Sequence, residues 1–223
     1  MKFFIISIFP EIFDSFVKTS LIKRAVERDV FQINFVNPRD FCYDKHRQVD
    51  DEIYWWGKWM LLKAQPVIQA VENIIEWIEW SFKIIYLSPA KKIFNQKMAT
   101  EFSQIENIIL VCWRYEWIDF RFEEYCSDKY KSRFQKVSLW RFVIMWWEVA
   151  AEIIIEAVSR LVPGVIKEEE SHQIESYSLQ KNMKNIEFPQ YTRPEEVYGY
   201  KVPEVLLNWN HKEIQKRRDN NEK

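Results

Sequence analysis

Apolar residues recur along this chain with two periods. A compact run, KFFIISI at residues 2–8, reads as a buried strand, and Ile12, Phe13, Phe16, Val17, Leu21 and Ala25 then follow at helical spacing. A second strand is expected at 31–36. Beyond Pro38 lies DFCYDKHRQVDDEIYWWGKWM, a polar segment too long for a plain connector and therefore a functional-loop candidate. From Pro66 the spacing predicts a helix with Val67, Ile68, Val71, Ile74, Ile75 and Ile78 on one stripe, the proline suiting its first turn. Strand-like FKIIYL (82–87), a loop and helix over 88–104, and strand-like NIILVC (107–112) come next. A β-rich stretch near 136–145 leads into a helix with Val149, Ile153, Ile154, Ala157, Val158 and Leu161 on one side, ended by Pro163-Gly164. Short apolar strands alternating with helices predict an α/β fold with a mostly parallel sheet covered on both faces.

After residue 164 the pattern changes to the acidic and polar EEESHQIESYSLQKNMKN, which reads as a linker, followed by the proline-punctuated FPQYTRPEEVYGYKVPEVLL and a charged terminal helix. A chain of 223 residues, 48% hydrophobic, buries one principal core and leaves room for a small appendage. The expected organisation is a main domain over 1–162, an interdomain segment over 163–178 and a small, mostly helical domain over 179–223.

The net charge of -1 gives no global footprint for nucleic acid, so any RNA site must be local. One basic stretch, from Lys129 to Trp147, contains Lys129, Lys131, Arg133, Lys136 and Arg141 without a carboxylate; a solvated face explains it equally well on charge alone. Cys42, Cys112 and Cys126 form no CxxC pair, and His172 and His211 lie far from all three, which argues against a zinc site and a disulfide framework. No stretch reaches the roughly 18 apolar residues of a membrane span, and the opening apolar run lacks a small-residue cleavage site. A reducing cytoplasm is the expected home. No GxGxxG or P-loop follows a strand, so neither a dinucleotide site nor an NTPase is supported.

Glycine changes the picture. The chain has 3 glycines and 11 tryptophans, where a usual glycine share is about 7%. Turns and close backbone approach to a ligand need positive φ or no side chain, and a bulky aromatic supplies neither.

Ligands in open parallel sheets sit outside the carboxyl ends of strands, and YLSPAKK (86–92), VCWRYEWID (111–119) and SLWRFVIMWWE (138–148) leave strands at such places. Together with RQVDDEIYWWGKWM and PQYTRP, in this order, these segments resemble the signatures of the bacterial tRNA guanine-N(1)-methyltransferases over nearly the whole chain. Where that family has glycine, this chain has tryptophan at positions 55, 56, 59, 113, 117, 140, 146, 147 and 209. UGA differs from GGA at one codon position, and some bacterial lineages read UGA as glycine. A translation table reading UGA as tryptophan would produce this pattern; a tryptophan-bearing, inactive relative is the other reading.

The resemblance implies a deep trefoil knot in the C-terminal part of the main domain, whose loops wrap S-adenosylmethionine. Carried over residue by residue, it assigns Tyr86, Leu87, Ser88 and Pro89 to the first cofactor loop, Trp113, Tyr115 and Glu116 to the second, and Leu139, Trp140, Val143, Ile144, Trp146, Trp147 and Glu148 to the third. It makes Glu175, in Glu175-Ser176-Tyr177 where the family has an Asp, the base that removes the guanine N1 proton. Arg160 would stabilise charge on the guanine carbonyl oxygen, and His46, Arg47, Asp50, Asp51 and Trp59 would shape the substrate pocket. Lys91 and Arg141 depart from the family pattern and add positive charge near a cationic cofactor. The implied partners are tRNA and a second copy of the chain, not DNA or a membrane; a magnesium requirement is implied by the family alone. Two alternatives stay open: a catalytically inactive knotted RNA-binding scaffold whose tryptophans stack bases, and a related knotted methyltransferase acting on rRNA.

Overall fold

The computed structural model describes residues 1–54, 60–78, 81–89, 92–114, 117–142, 144–167, 176–177, 188–208, 212–214 and 216. The chain divides into two compact units, Met1–Lys167 and Glu168–Lys223.

The first unit is built on five parallel strands, β1 (Lys2–Ile6), β2 (Gln32–Val36), β5 (Phe82–Leu87), β6 (Asn107–Val111) and β7 (Phe134–Val137), in the order β2-β1-β6-β5-β7. β6 is buried along its whole length and β5 at all but Lys83, as expected of parallel strands covered on both faces. The register aligns Val36, Ile6, Val111, Tyr86 and Lys136 in one row. The loops that follow these strands therefore leave from a single edge of the sheet.

Helices α1 (Asp14–Val17), α2 (Ser20–Glu27), α3 (Ala64–Glu76), α4 (Gln96–Ser103), α5 (Arg121–Tyr130) and α6 (Trp147–Ser159) complete the layers, α3 packing on α5 and α4 on α6. The apolar period expected to run from Ile12 to Ala25 is broken. A 3-10 turn at Pro10–Phe13 precedes α1, and Thr19 is extended (φ -120, ψ 141), its hydroxyl donating to the Ser15 carbonyl at 2.5 Å instead of capping α2. The long polar segment holds a 3-10 turn at Pro38–Phe41, capped by the Asn37 side chain, and an antiparallel ribbon of β3 (Asp50–Glu52) with β4 (Met60–Leu62).

Two expectations near the sheet edge need correction. The β-rich stretch near 136–145 contracts to β7, which ends at Val137. On α6 the buried face carries Trp147, Ala150, Ala151, Ile154, Ile155 and Val158, while Val149 and Ile153 are 42% and 47% exposed. This helix is apolar nearly all round, so spacing alone could not choose the face. Helix α5 has no counterpart in the reading of the sequence, although Phe122, Cys126 and Tyr130 recur on its buried side at four-residue spacing.

In the second unit, β8 (Glu196–Val197) and β9 (Tyr200–Lys201) pair antiparallel. Tyr198 and Gly199 turn between them with φ of 49° and 86°, the positive values that a two-residue hairpin turn of the primed type requires. A single helical turn, Glu204–Leu207, follows.

Candidate active site

The loops after β5, β6 and β7 meet at the carboxyl edge. Tyr86 and Leu87, the last residues of β5, are buried. The Tyr86 ring meets Phe122 edge-on at 5.5 Å, and burial, with Glu123 adding to it, lifts its hydroxyl well above the ordinary tyrosine range. Ser88 is buried, its backbone N–H donates to the Val137 carbonyl at 3.0 Å, and its hydroxyl has no hydrogen-bond partner among the described residues. Pro89 beside it is exposed.

The loop after β5 pairs with the loop after β7. The Phe94 N–H donates to the Ser138 carbonyl at 2.8 Å, and the Ser138 N–H donates to the Lys92 carbonyl at 3.0 Å. Leu139 and Ile144 are half-buried and Trp140 is exposed. The loop after β6 is tied to the ribbon by Leu62 N–H to the Trp117 carbonyl (3.1 Å) and Asp119 N–H to the Leu62 carbonyl (2.9 Å). The ribbon that bears Asp50 and Asp51 thus lies against a cofactor-loop candidate. Asp51 pairs with Lys63 at 3.7 Å and lines a groove of about 820 Å³ with Tyr54, Gln69, Asp119 and Arg121.

Tryptophan fills the edge. Trp113, 4% exposed, stacks on Trp117 at 5.5 Å and on Trp147 at 5.0 Å, and its indole N–H donates to the Leu87 carbonyl at 2.5 Å. None of Trp113, Trp117, Trp140, Trp146 and Trp147 takes a positive φ. What glycine would provide at these positions is therefore space, not backbone freedom.

The other side of the edge is anchored by Glu148. It is fully buried at the start of α6 and accepts from the Ser7 hydroxyl at 2.6 Å, which ties α6 to the end of β1; its second oxygen has no partner among the described residues. Burial, then Glu148 and Glu152, push the neighbouring Cys112 thiol well above its ordinary range, so it is held as the unreactive thiol.

The remaining site candidates are scattered. His46 and Arg47 are exposed, the His46 N–H donating to the Asp44 carboxylate at 3.1 Å and Arg47 pairing with Asp40 at 3.2 Å. Arg160 caps the far end of α6, thirteen residues from Trp147, or about 20 Å of helix. Trp59, Tyr115, Glu116, Val143 and Glu175 lie outside the described residues. The basic stretch is largely spoken for: Lys129 pairs with Glu72 and Lys136 with Glu123, both at 2.8 Å, and Arg133 stacks on Phe82. The Ser7 link and the placement of Arg114 carry no local sequence signal.

The family described as tRNA (Guanine-1)-methyltransferase TrmD matches residues 1–223. The chain belongs to this family. Proteins named tRNA (guanine-N(1)-)-methyltransferase are similar to it along most of their length. That of Carboxydothermus hydrogenoformans is 42% identical over 214 residues, 96% of this chain and 79% of the relative. That of Treponema denticola is 42% identical over 219 residues, 98% and 84%. That of Clostridioides difficile is 40% identical over 215 residues, 96% and 89%.

A methyltransferase of the TrmD family implies an S-adenosylmethionine donor. The unpaired Ser88 hydroxyl and the main chain of Leu87 are groups such a ligand could use, but the stacked indoles occupy the space between β5, β6 and α6, and Trp113 already takes the Leu87 carbonyl. With these side chains the edge does not fit the cofactor. Among the described residues no cluster of three or more His, Cys, Asp or Glu side chains could hold a metal ion, and no helix is long and apolar enough to cross a membrane.

Proposed function

We propose that this protein methylates the N1 ring nitrogen of guanosine at tRNA position 37, beside the anticodon, with S-adenosylmethionine as donor, as a knotted cytoplasmic homodimer. The observation that carries this reading is the convergence of the loops after β5, β6 and β7 at one sheet edge, in a chain that matches the TrmD family from end to end. The pairing of Phe94 and Ser138 supports the knot, because it holds the loop after β5 against the loop after β7. A guanosine inside a folded anticodon arm must be splayed from its stack to reach such a pocket.

The base is Glu175, which takes the N1 proton, and the Arg160 guanidinium stabilises the charge that then develops on the guanine carbonyl oxygen. Arg160 and Trp147 stand at opposite ends of α6, so one chain cannot bring Arg160 to its own edge. That separation supports a composite site in which a second copy supplies Arg160 and Glu175. The exposed Val149 and Ile153 give α6 an apolar stripe for that copy to cover.

The tryptophans at 55, 56, 59, 113, 117, 140, 146, 147 and 209 are glycines in the producing cell, inserted at UGA codons. The filling of the edge by Trp113, Trp117 and Trp147 supports this, since a family built to take a cofactor there would not plug it. UGG codons at these positions, or tryptophan masses in the native protein, would overturn it.

The activity test uses protein made under the native codon reading, unmodified tRNA transcripts and labelled donor. N1-methylguanosine is expected only where guanosine occupies the target position, and no incorporation into any transcript refutes the assignment. In the same assay Arg160→Ala lowers kcat by a factor on the order of 100 to 1000.

A further inference from the structure

Three neighbouring parallel strands deliver a second cluster to the carboxyl edge: Arg39 beyond β2, Phe9 beyond β1 and Arg114 beyond β6. The Arg114 guanidinium carbon lies 4.5 Å from the Phe9 ring centre and 4.4 Å from that of Trp146. On the same Phe9 ring, at 5.5 Å, lies the Arg39 guanidinium, one of whose Nη1 hydrogens goes to the Ile8 carbonyl at 2.7 Å. Among the described residues, the buried Arg114 Nε has no hydrogen-bond partner and neither guanidinium pairs with a carboxylate.

This arrangement is costly in isolation. Two like charges share one ring, and an unpaired buried N–H carries a desolvation cost that stacking on an aromatic ring offsets only in part. Guanidinium forks held rigid with donors unspent match an anion with several oxygens, and phosphate geometry suits them well. In the more obvious basic stretch Lys129 and Lys136 are paired with Glu72 and Glu123, whereas these two arginines have no carboxylate partner among the described residues.

We propose that Arg39 and Arg114, stacked on Phe9, clamp a backbone phosphate of the RNA beside the methylation edge. The clamp rests on the tRNA reading above and adds a positioning contact to it: phosphate contacts fix register and orientation without reading sequence. Both arginines contact the Phe9 ring, so each keeps a stacking partner whichever residue stands at 146.

The test is equilibrium binding of an unmodified tRNA transcript to the full chain over a range of salt concentrations. Variants are Arg39→Gln, Arg114→Gln, the double variant, Arg114→Lys, and Arg28→Gln on an exposed part of the same unit as control. The double variant, which empties the one phosphate site, should weaken binding and lower the log–log salt slope by about 0.7–1, each single glutamine variant should weaken binding with a slope change no larger than that, and Arg28→Gln should be unchanged. Arg114→Lys keeps the charge and should keep the slope. If Arg114→Gln fails to fold by circular dichroism, Arg39→Gln carries the same test alone. A parent-like slope in the double variant overturns the clamp and leaves the tRNA reading intact, as does a loss confined to S-adenosylmethionine affinity, which would make the donor carboxylate the anion. A parent chain that binds no tRNA overturns both.

Discussion

Glu72, on the flank where α3 meets α5, and three groups at the carboxyl edge of the sheet are treated in opposite ways. On the flank, Glu72 accepts from Tyr125 at 2.9 Å, from Lys129 at 2.8 Å and from Tyr130, so a partly buried carboxylate has donors on both oxygens. At the edge, Ser88 Oγ, Arg114 Nε and Glu148 Oε2 are buried without partners among the described residues. Each such atom costs about 1–3 kcal/mol, and native chains rarely leave them unpaired without a reason. The flank holds the fold, and on the function proposed above the edge is completed by another molecule. The Leu87 carbonyl at the edge is satisfied by Trp113, the residue that blocks completion.

The largest effect should come from reopening that place. Glycine at positions 113, 117, 140, 146 and 147 is expected to take S-adenosylmethionine affinity from beyond millimolar to micromolar, about 1000-fold or roughly 4 kcal/mol, by calorimetry. Emptying a stack this buried has its own cost, about 3–5 kcal/mol for a buried tryptophan, so Trp113→Gly alone is measured beside the multiple variant. Should neither folded variant bind the donor, the edge is not a cofactor site and its unpaired atoms need another explanation.

Cutting the anchor comes next. Ser7→Ala removes the donor to Glu148 and leaves a fully buried carboxylate with no side-chain hydroxyl, which should cost about 2–3 kcal/mol in urea unfolding. A cost below about 0.5 kcal/mol, the range of neutral surface changes, would mean that the edge tolerates unpaired groups as freely as solvent does, and the contrast with the flank would collapse.

How much of this was legible beforehand depends on where each group's partner sits in the chain. The strand at 82–87 was readable because six residues in a row are apolar or aromatic but for Lys83, and the parallel sheet followed from alternation. Residues 129–136 looked like a free basic surface because their carboxylates, Glu72 and Glu123, lie on α3 and α5, outside that stretch. Arg114 looked ordinary because its significance depends on Phe9, which is more than a hundred residues away and adjacent only through the β1–β6 pairing. Glu148 was placed in the third cofactor loop by resemblance, yet its bond to Ser7 spans 141 residues and no local pattern announces it. The tryptophans worked the other way: their misfit with glycine positions was visible in the segments themselves, while their mutual stacking was not.

The smallest effect tests the flank on its own terms. Burial works to raise the Glu72 carboxyl, but hydrogen bonds from Lys129, Tyr130 and Tyr125 outweigh it and hold the group below the ordinary glutamate range. A carboxyl depressed in the folded state adds stability above its unfolded value, about pH 4.3, and that stability drains away as pH falls through the lower folded value. Glu72→Gln should therefore cost about 1 kcal/mol at neutral pH, discounted because the side chain is partly solvated. The gap between parent and variant should narrow on acidification below about pH 4.3, when urea midpoints are compared at both ends. A gap that stays constant with pH would mean that Glu72 contributes packing and not charge, and the flank would then owe its stability to its aromatic contacts, Tyr125 on Tyr130 and Phe82 on Tyr130, in place of its saturated carboxylate.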